Sequence, residues 1–368
     1  MQTTIKVGII GCGNISGIYL ENCKKFNTLE LIACADLDLE KARNQADKHN
    51  IPLACSVEEL LAHPEINLVI NLTIPAVHAK VSLQALEAGK HVYVEKPLAL
   101  TLEEGQQVLK TAAEKGLLVG SAPDTFLGAG IQTALKMINE GAIGRPVSAT
   151  AFMMSRGHEF WHPDPEFYYA DGGGPMFDMG PYYLTALIQL LGPVRRVAGM
   201  TSKALPERII TSEKKYGQRI PVVVPTHVAG TMEFNNGAIA TMITSFDIFG
   251  GSTLPHIEIH GTEGSLLVPD PNGFGGTLMY RKLGEKSWTE QPLILGHDSN
   301  SRGIGPADMA DAIMNNRQHR ASGELAYHVL ESMWAFQLSS DSGSYYYMKS
   351  TCEPAEPLVG QPFYEVTI

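Results

Sequence analysis

The first third of the chain alternates short apolar runs with longer stretches whose apolar residues recur at helical spacing. Runs at 5–10, 29–35, 68–72, 91–94 and 117–120 read as strands, and segments 15–25, 39–49, 57–61, 77–88 and 102–114 read as helices rich in Ala and Glu. This rhythm predicts βαβ units and a parallel, doubly wound sheet. After Pro123 the pattern changes. A helix over 132–139 leads into a stretch with frequent Gly, Pro, Thr and aromatic residues, where 147–154, 194–202, 227–234, 238–246, 256–260, 264–269 and 277–281 predict mostly antiparallel strands. Asn235-Asn236-Gly237, between two alternating runs, predicts a tight hairpin, because Asn and Gly tolerate positive φ. Segments 309–315 and 323–338 close the chain as helices before a tail from Tyr345 with no assigned structure. The expected architecture is an α/β protein: a dinucleotide-binding sheet domain over 1–123, and an α+β domain over 124–368 built on one large open sheet.

A length of 368 residues suits two cores. With 44% hydrophobic and 18% charged residues, each has enough apolar material. The formal net charge of −11 gives no general attraction to nucleic acid or to an anionic membrane surface. An anionic cofactor stays open, since backbone amides at a helix start bind pyrophosphate without net positive charge. The five cysteines form no C-x-x-C pair and are an odd set, so neither zinc nor a disulfide framework is indicated. Reduced thiols, no apolar run of membrane-spanning length and no signal-like N-terminus lead to a cytoplasmic expectation.

Chemistry collects where strands end. Gly8-Ile9-Ile10-Gly11-Cys12-Gly13-Asn14-Ile15-Ser16 follows the first strand: Gly11 allows the tight turn, Gly13 lets backbone approach a pyrophosphate, and Asn14 and Ile15 open the helix. Asp36 ends the second strand, about 20 residues beyond the loop, where a carboxylate accepts adenine-ribose hydroxyls and repels a 2′-phosphate. NAD is therefore favoured over NADP. Thr73 and Pro75, after the third apolar run, are placed along the cofactor, with His78 either there or capping and packing the next helix. Glu95-Lys96-Pro97 follows His91-Val92-Tyr93-Val94, which sets a lysine at the carboxyl end of a strand, where open α/β sheets bind ligands. Its ammonium could serve a substrate hydroxyl or carbonyl.

The second domain offers Arg156-Gly157-His158-Glu159-Phe160-Trp161-His162, and later Gly172-Gly173-Gly174-Pro175-Met176-Phe177-Asp178-Met179-Gly180-Pro181-Tyr182-Tyr183. A helix beginning near Met176 would put Asp178 and Tyr182 on one face. A phenol is a poor base alone, but an ammonium such as Lys96 beside it favours the phenolate, which could then exchange a proton with a sugar hydroxyl. Alternatively Tyr182 simply packs and bonds Asp178. His158 and His162 are competing bases or substrate donors, and Phe160, Trp161, Tyr168 and Tyr169 suit an apolar sugar face or the core.

These blocks together resemble the Gfo/Idh/MocA family, the glucose-fructose oxidoreductase and inositol dehydrogenase group of NAD(P)-dependent enzymes, over most of the chain. The resemblance implies a Rossmann domain, a sheet-containing substrate domain, a homo-oligomer (dimer or tetramer) and an active-site lysine at Lys96, with Glu95 and Pro97 its neighbours. Asp178 corresponds to the aspartate of the family's D-x-G-x-H, whose histidine falls on Tyr182. Ala122-Pro123-Asp124-Thr125-Phe126 stands where many relatives have an N-x-R-F-like segment. The expected function is hydride transfer between a carbohydrate or polyol carbon and nicotinamide. Lys96 and Tyr182, or a nearby histidine, would handle the proton, and Lys96 would face the nicotinamide across a domain cleft. Asp124, Arg156, His158, His162 and Asp178 would bind substrate, and no metal is expected. Two rivals are carried: an NAD-retaining, redox-neutral glycoside hydrolase or lyase, and a catalytically silent dinucleotide sensor.

Overall fold

In the computed structural model, which describes residues 4–294, 296–358 and 363, the βαβ rhythm becomes a six-stranded parallel sheet. The elements run β1 (Ile5–Ile10), α1 (Ser16–Asn22), β2 (Leu29–Ala35), α2 (Leu39–His49), β3 (Leu53–Cys55), α3 (Val57–Ala62), β4 (Leu68–Asn71), α4 (His78–Glu87), β5 (His91–Val94), α5 (Leu102–Lys115) and β6 (Val119–Ser121). The strand order is β3-β2-β1-β4-β5-β6. Chain direction along the sheet reverses between β1 and β4, so the loops after these strands diverge and leave a crevice at their carboxyl ends. The local sequence explains the helix limits: Ser56 with Glu59 and Thr101 with Glu104 form capping boxes on α3 and α5, and Asp38 caps α2. The short strand β3 carries no alternation in the sequence; it forms because Leu53 and Ala54 pair with Ala33 and Cys34.

The second sheet has nine strands. After α6 (Ala129–Asn139) come β7 (Pro146–Met154), α7 (Gly174–Asp178), α8 (Gly180–Leu191), β8 (Val194–Ser202), β9 (Glu207–Ile209), β10 (Arg219–Pro221), β11 (His227–Phe234) and β12 (Ile239–Ser245). Then follow β13 (Ile257–Gly261), β14 (Gly264–Val268), β15 (Leu278–Lys282), β16 (Thr289–Gln291), α9 (Ile304–Asn315), α10 (Gly323–Ser342) and β17 (Tyr346–Tyr347). The order β16-β15-β14-β13-β7-β12-β11-β8-β17 is antiparallel except between β7 and β12. Alternate residues of β7 (Ala149, Ala151, Met153) are buried, and every residue of α8 is buried, as its continuous apolar sequence requires. The Asn-Asn-Gly hairpin joins β11 to β12 as expected.

Two compact units result. One holds the described residues of Met1–Gly128, Leu295–Leu330 and Ala355–Ile368; the other holds Ala129–Ile294 and Glu331–Pro354. A boundary at residue 123 assigns 295–330 to the second domain, but the described residues of this segment, 296–330, pack with the first. The reason is an open sheet edge: Ser121 N–H donates to Ala321 O (3.1 Å), Gly120 bridges Ser322, and the His319 ring meets Val119 O at 2.9 Å.

The same return explains Asp124, expected on the substrate side. Its side chain is 1% exposed, and its Oδ2 accepts from the backbone N–H groups of Gly303 (2.8 Å) and Gly305 (3.1 Å) at the start of α9. It caps a helix and is turned away from solvent. Burial pushes its carboxyl up to about 6, against the pull of those two N–H groups and of Arg302. The folded state thus holds the proton more tightly than the unfolded chain, so the group's contribution is full below about pH 4 and is lost as pH rises through about 6. Asp124→Asn keeps the acceptor oxygen and cannot ionise. Urea unfolding across this range is expected to show the variant gaining about 2–3 kcal/mol on the wild type; parallel pH slopes would show that the carboxylate ionises without penalty.

Candidate active site

At the carboxyl end of the first sheet, Gly11 has φ +102°, and a Cβ there would lie 2.7 Å from the Leu72 carbonyl, so only glycine passes this turn. Gly13 has open space around its Cα, and Gly13, Asn14 and Ile15 are exposed. Ser16, standing at the third position of the glycine motif, is buried and turns its hydroxyl back to Gly13 O (2.7 Å), which is how the helix start tolerates it. Asp36 Oδ2 accepts from Cys12 N–H (2.8 Å) and Oδ1 from Asp38 N–H (2.9 Å). One carboxylate therefore ties the glycine loop to the end of β2, with lone pairs on both oxygens left for hydroxyl donors.

Two residues escaped the sequence reading. Leu37 (96% exposed) and Ile74 (67%) lie two and three residues past the ends of β2 and β4. Large apolar side chains bare to water beside the glycine loop suit the faces of a flat heteroaromatic base. Their signal was present, an apolar residue just past a strand end, but it is too common to single out.

The loops after β4 and β5 are tied from behind. Buried Asn71 spends all four of its hydrogen-bonding capacities: Nδ2 donates to His78 O (3.0 Å) and Ser82 Oγ (3.1 Å), and Oδ1 accepts from Thr73 N–H and Oγ1. His78 sits beneath these loops, buried, with Nδ1 2.7 Å from Pro97 O and Nε2 2.9 Å from Thr73 O. It lies between the Glu95-Lys96-Pro97 loop and the Thr73 loop and is 1% exposed. Burial lowers its pKa despite the two carbonyls. Pro75 is exposed at the start of a 3-10 turn. Glu95 Oε1 accepts from Tyr19 of α1 (2.8 Å) and Oε2 from the Lys96 backbone N–H (2.9 Å), so the backbone carrying Lys96 is fixed by its neighbour's carboxylate. The Lys96–Pro97 bond is cis, and the Lys96 side chain is half-buried.

The second unit brings together residues far apart in sequence. The continuous helix expected from Met176 is interrupted at Met179: α7 ends on Asp178 and α8 begins at Gly180, with Pro181 in its first turn. Asp178 therefore closes one helix and Tyr182 opens another. Tyr182 is 8% exposed, whereas Asp178 Oδ2 lies 3.1 Å from His158 Nε2. His158 Nδ1 lies 3.2 Å from Trp161 Nε1. An indole N–H only donates, so Nδ1 is the acceptor and the proton of the neutral ring sits on Nε2, aimed at the carboxylate. The imidazole is walled by Tyr168 (ring centroids 4.0 Å apart), Phe246 (4.7 Å) and Trp161 (5.5 Å). His162 is directed elsewhere: its Nδ1 accepts from Asp164 N–H (3.0 Å), and burial lowers its pKa. Arg156 is exposed, its guanidinium 3.7 Å above the Phe160 ring.

What holds His158 is a buried ion network beneath it. Arg208, in the middle of β9, donates through Nη1 to Glu159 Oε1 (2.9 Å) and through Nη2 to Asp247 and to Phe246 O (2.7 Å). The Tyr169 hydroxyl donates to the other Glu159 oxygen, and burial together with Glu159 pushes that phenol's pKa up, so it stays a donor. Thr211 and Ser212 N–H groups both reach Glu159 O, and Ser212 Oγ donates to His162 O. Gly157, at φ +96°, makes the turn: a Cβ there would strike the Tyr169 hydroxyl and the Glu159 carboxylate. Among the described residues no group of three or more His, Cys, Asp and Glu side chains is placed to hold a metal ion.

The model of an oxidoreductase family with an NAD-binding Rossmann fold matches residues 5–122, and that of the GFO/IDH/MocA C-terminal domain matches residues 131–267. The 1,5-anhydro-D-fructose reductase of Ensifer adhaerens is 29% identical over 267 residues, 71% of this chain and 74% of that protein. The D-glucoside 3-dehydrogenase of Escherichia coli K12 is 28% identical over 300 residues, 77% of this chain and 84% of that protein. A solved structure of levoglucosan dehydrogenase in complex with NADH shares the fold, with a TM-score of 0.81 and 22% identity over 94% of this chain and all of that one. With a glycine loop, strand-end acid and E-K-P sequence on an NAD-binding Rossmann domain, followed by the matching C-terminal domain, the chain belongs to the Gfo/Idh/MocA family of oxidoreductases.

Proposed function

We propose that the protein is an NAD-dependent dehydrogenase that oxidises a CH–OH group of a carbohydrate or polyol derivative, with His158 backed by Asp178 as the proton acceptor. The observation that carries this reading is the Nε2–Oδ2 contact of 3.1 Å between the two, with Nδ1 left as the basic nitrogen. An acid behind the imidazole orients it and stabilises the imidazolium formed when it takes a proton. Tyr182, the positional heir of the family's histidine, is the weaker candidate, because it is buried at the start of α8. The relatives' names, an anhydro-sugar reductase and a glucoside dehydrogenase, support a carbohydrate substrate.

When bound, the nicotinamide accepts the hydride. Backbone amides from Gly13 to Ile15 are assigned to the pyrophosphate, and Asp36 to the ribose hydroxyls, which favours NAD over NADP. Leu37 and Ile74 are assigned to the adenine faces. His158 Nδ1 takes the hydroxyl proton while the electron pair of the C–H bond leaves the same carbon as hydride, and a carbonyl forms. Lys96 is assigned as the cation that donates to that oxygen, and Arg156, Tyr168 and Trp161 to the binding of the sugar.

The purified protein, tested with NAD and a panel of polyols, aldoses and glycosides, is expected to give NADH in proportion to sugar oxidised, faster than NADPH with NADP. Aglycone release without net NADH would replace this reading by the redox-neutral one. Lys96→Met and His158→Gln are each expected to lower kcat/KM at least ~100-fold with NAD binding retained; undiminished turnover in either would remove that residue from the mechanism. Arg208→Met leaves Glu159 buried without its cation, and is expected to cost about 3–5 kcal/mol in urea unfolding; a loss below about 1 kcal/mol would show that the His158 loop stands without the network.

A further inference from the structure

Trp161 is out of place as a packing residue. It is 52% exposed, yet its one polar atom is committed to His158 Nδ1, the nitrogen that faces away from Asp178. Both nitrogens of the imidazole are thereby engaged, one by a carboxylate and one by a donor that no chemistry at the ring can use. A hydroxyl group is the only donor type in a carbohydrate, and it would meet Nδ1 in the same sense as the indole does: donor hydrogen toward the basic nitrogen. Trp161 also lines an open cavity of about 440 Å³ with Pro163, Ser212, Glu213 and Lys214, so there is free space beside it.

We propose that the Trp161 indole N–H is a placeholder for the reacting hydroxyl, and that exchange of one for the other at His158 Nδ1 selects the substrate. The inference rests on His158 being the proton acceptor. A substrate must break the indole bond before its own hydroxyl can bind, and the compounds that do so at least cost are those that give the released ring a new contact. A pyranoside carries an apolar C–H face that can lie on an indole, while an open-chain polyol offers no such flat face. Trp161 therefore favours ring sugars and glycosides over linear polyols, and protects the base with a neutral, non-reacting donor when no sugar is bound.

The direct test follows the indole itself. Protein labelled with 15N-tryptophan has three indole N–H signals, from Trp161, Trp288 and Trp334, and Trp161→Phe identifies the first. His158→Ala, which removes the acceptor, gives the position of the released indole. With the protein saturated by NADH so that no turnover consumes the probe, methyl α-D-glucopyranoside is expected to move the Trp161 signal toward that position, and D-glucitol to move it less. A signal that stays in place with both probes up to their solubility overturns the proposal. Kinetically, Trp161→Phe keeps a ring and loses the N–H. It is expected to raise kcat/KM about three- to tenfold for the polyol, the loss of one competing hydrogen bond, and less for the pyranoside, with KM for NAD unchanged. A fall in kcat/KM for both sugars would make the indole N–H a donor to the bound sugar and overturn the exchange. The outcomes separate from those of the parent reading: full turnover by His158→Gln removes the proton acceptor, whereas the indole signal reports displacement whether or not His158 takes the proton.

Discussion

The burial of the Arg208 guanidinium is the constraint from which the second unit's chemistry follows. A cation taken out of water is costly and is held only where carboxylates and carbonyls surround it. Here Glu159, Asp247 and Phe246 O do so, drawn from two segments far apart in sequence. Because Glu159 adjoins His158, neutralising the arginine also sets where the imidazole stands. The aromatic rings around it, Tyr168, Phe246 and Trp161, then restrict its rotation, and Asp178 at the end of α7 restricts its tautomer. A reactive group is thus made rigid by atoms that need have no part in the reaction.

The first unit is organised by a different rule. A parallel sheet ends all its strands on one edge, and the reversal between β1 and β4 opens that edge to a ligand. Glu95, Asn71 and His78 join the loops after β4 and β5 to one another and to α1 through their side chains, so Thr73, Pro75 and Lys96 rest on a braced platform. Several conspicuous polar residues of the sequence turn out to be this bracing. Asp124 and His78 have the chemistry of ligand contacts and the positions of buried structural ones, because a helix start and a loop carbonyl each need a partner inside the protein.

Much of the architecture was legible from period and punctuation. The 2 and 3.6 repeats, with Gly, Asn and capping residues between them, place the helices and the longer strands, because backbone hydrogen bonding and side-chain direction are local. Short strands such as β3, β9 and β17 were not legible: two or three residues carry no period, and they form only because a neighbour's edge lies open beside them. The break at Met179 was also hidden. Pro181 can begin a helix as readily as it interrupts one, and the Gly180-Pro181 pair does the former here.

The sequence by itself determined the Rossmann topology, the glycine loop with Asp36, and the strand-end setting of Lys96, since each is written within one stretch of chain. Only the tertiary structure decided which base stands beside an acid. Asp178 is twenty residues from His158, yet its Oδ2 lies 3.1 Å from His158 Nε2, because contact depends on where loops are pinned. Arg208 does that pinning from fifty residues away. A lone arginine on a three-residue strand has no sequence signature; its meaning exists only once the fold has closed around its charge.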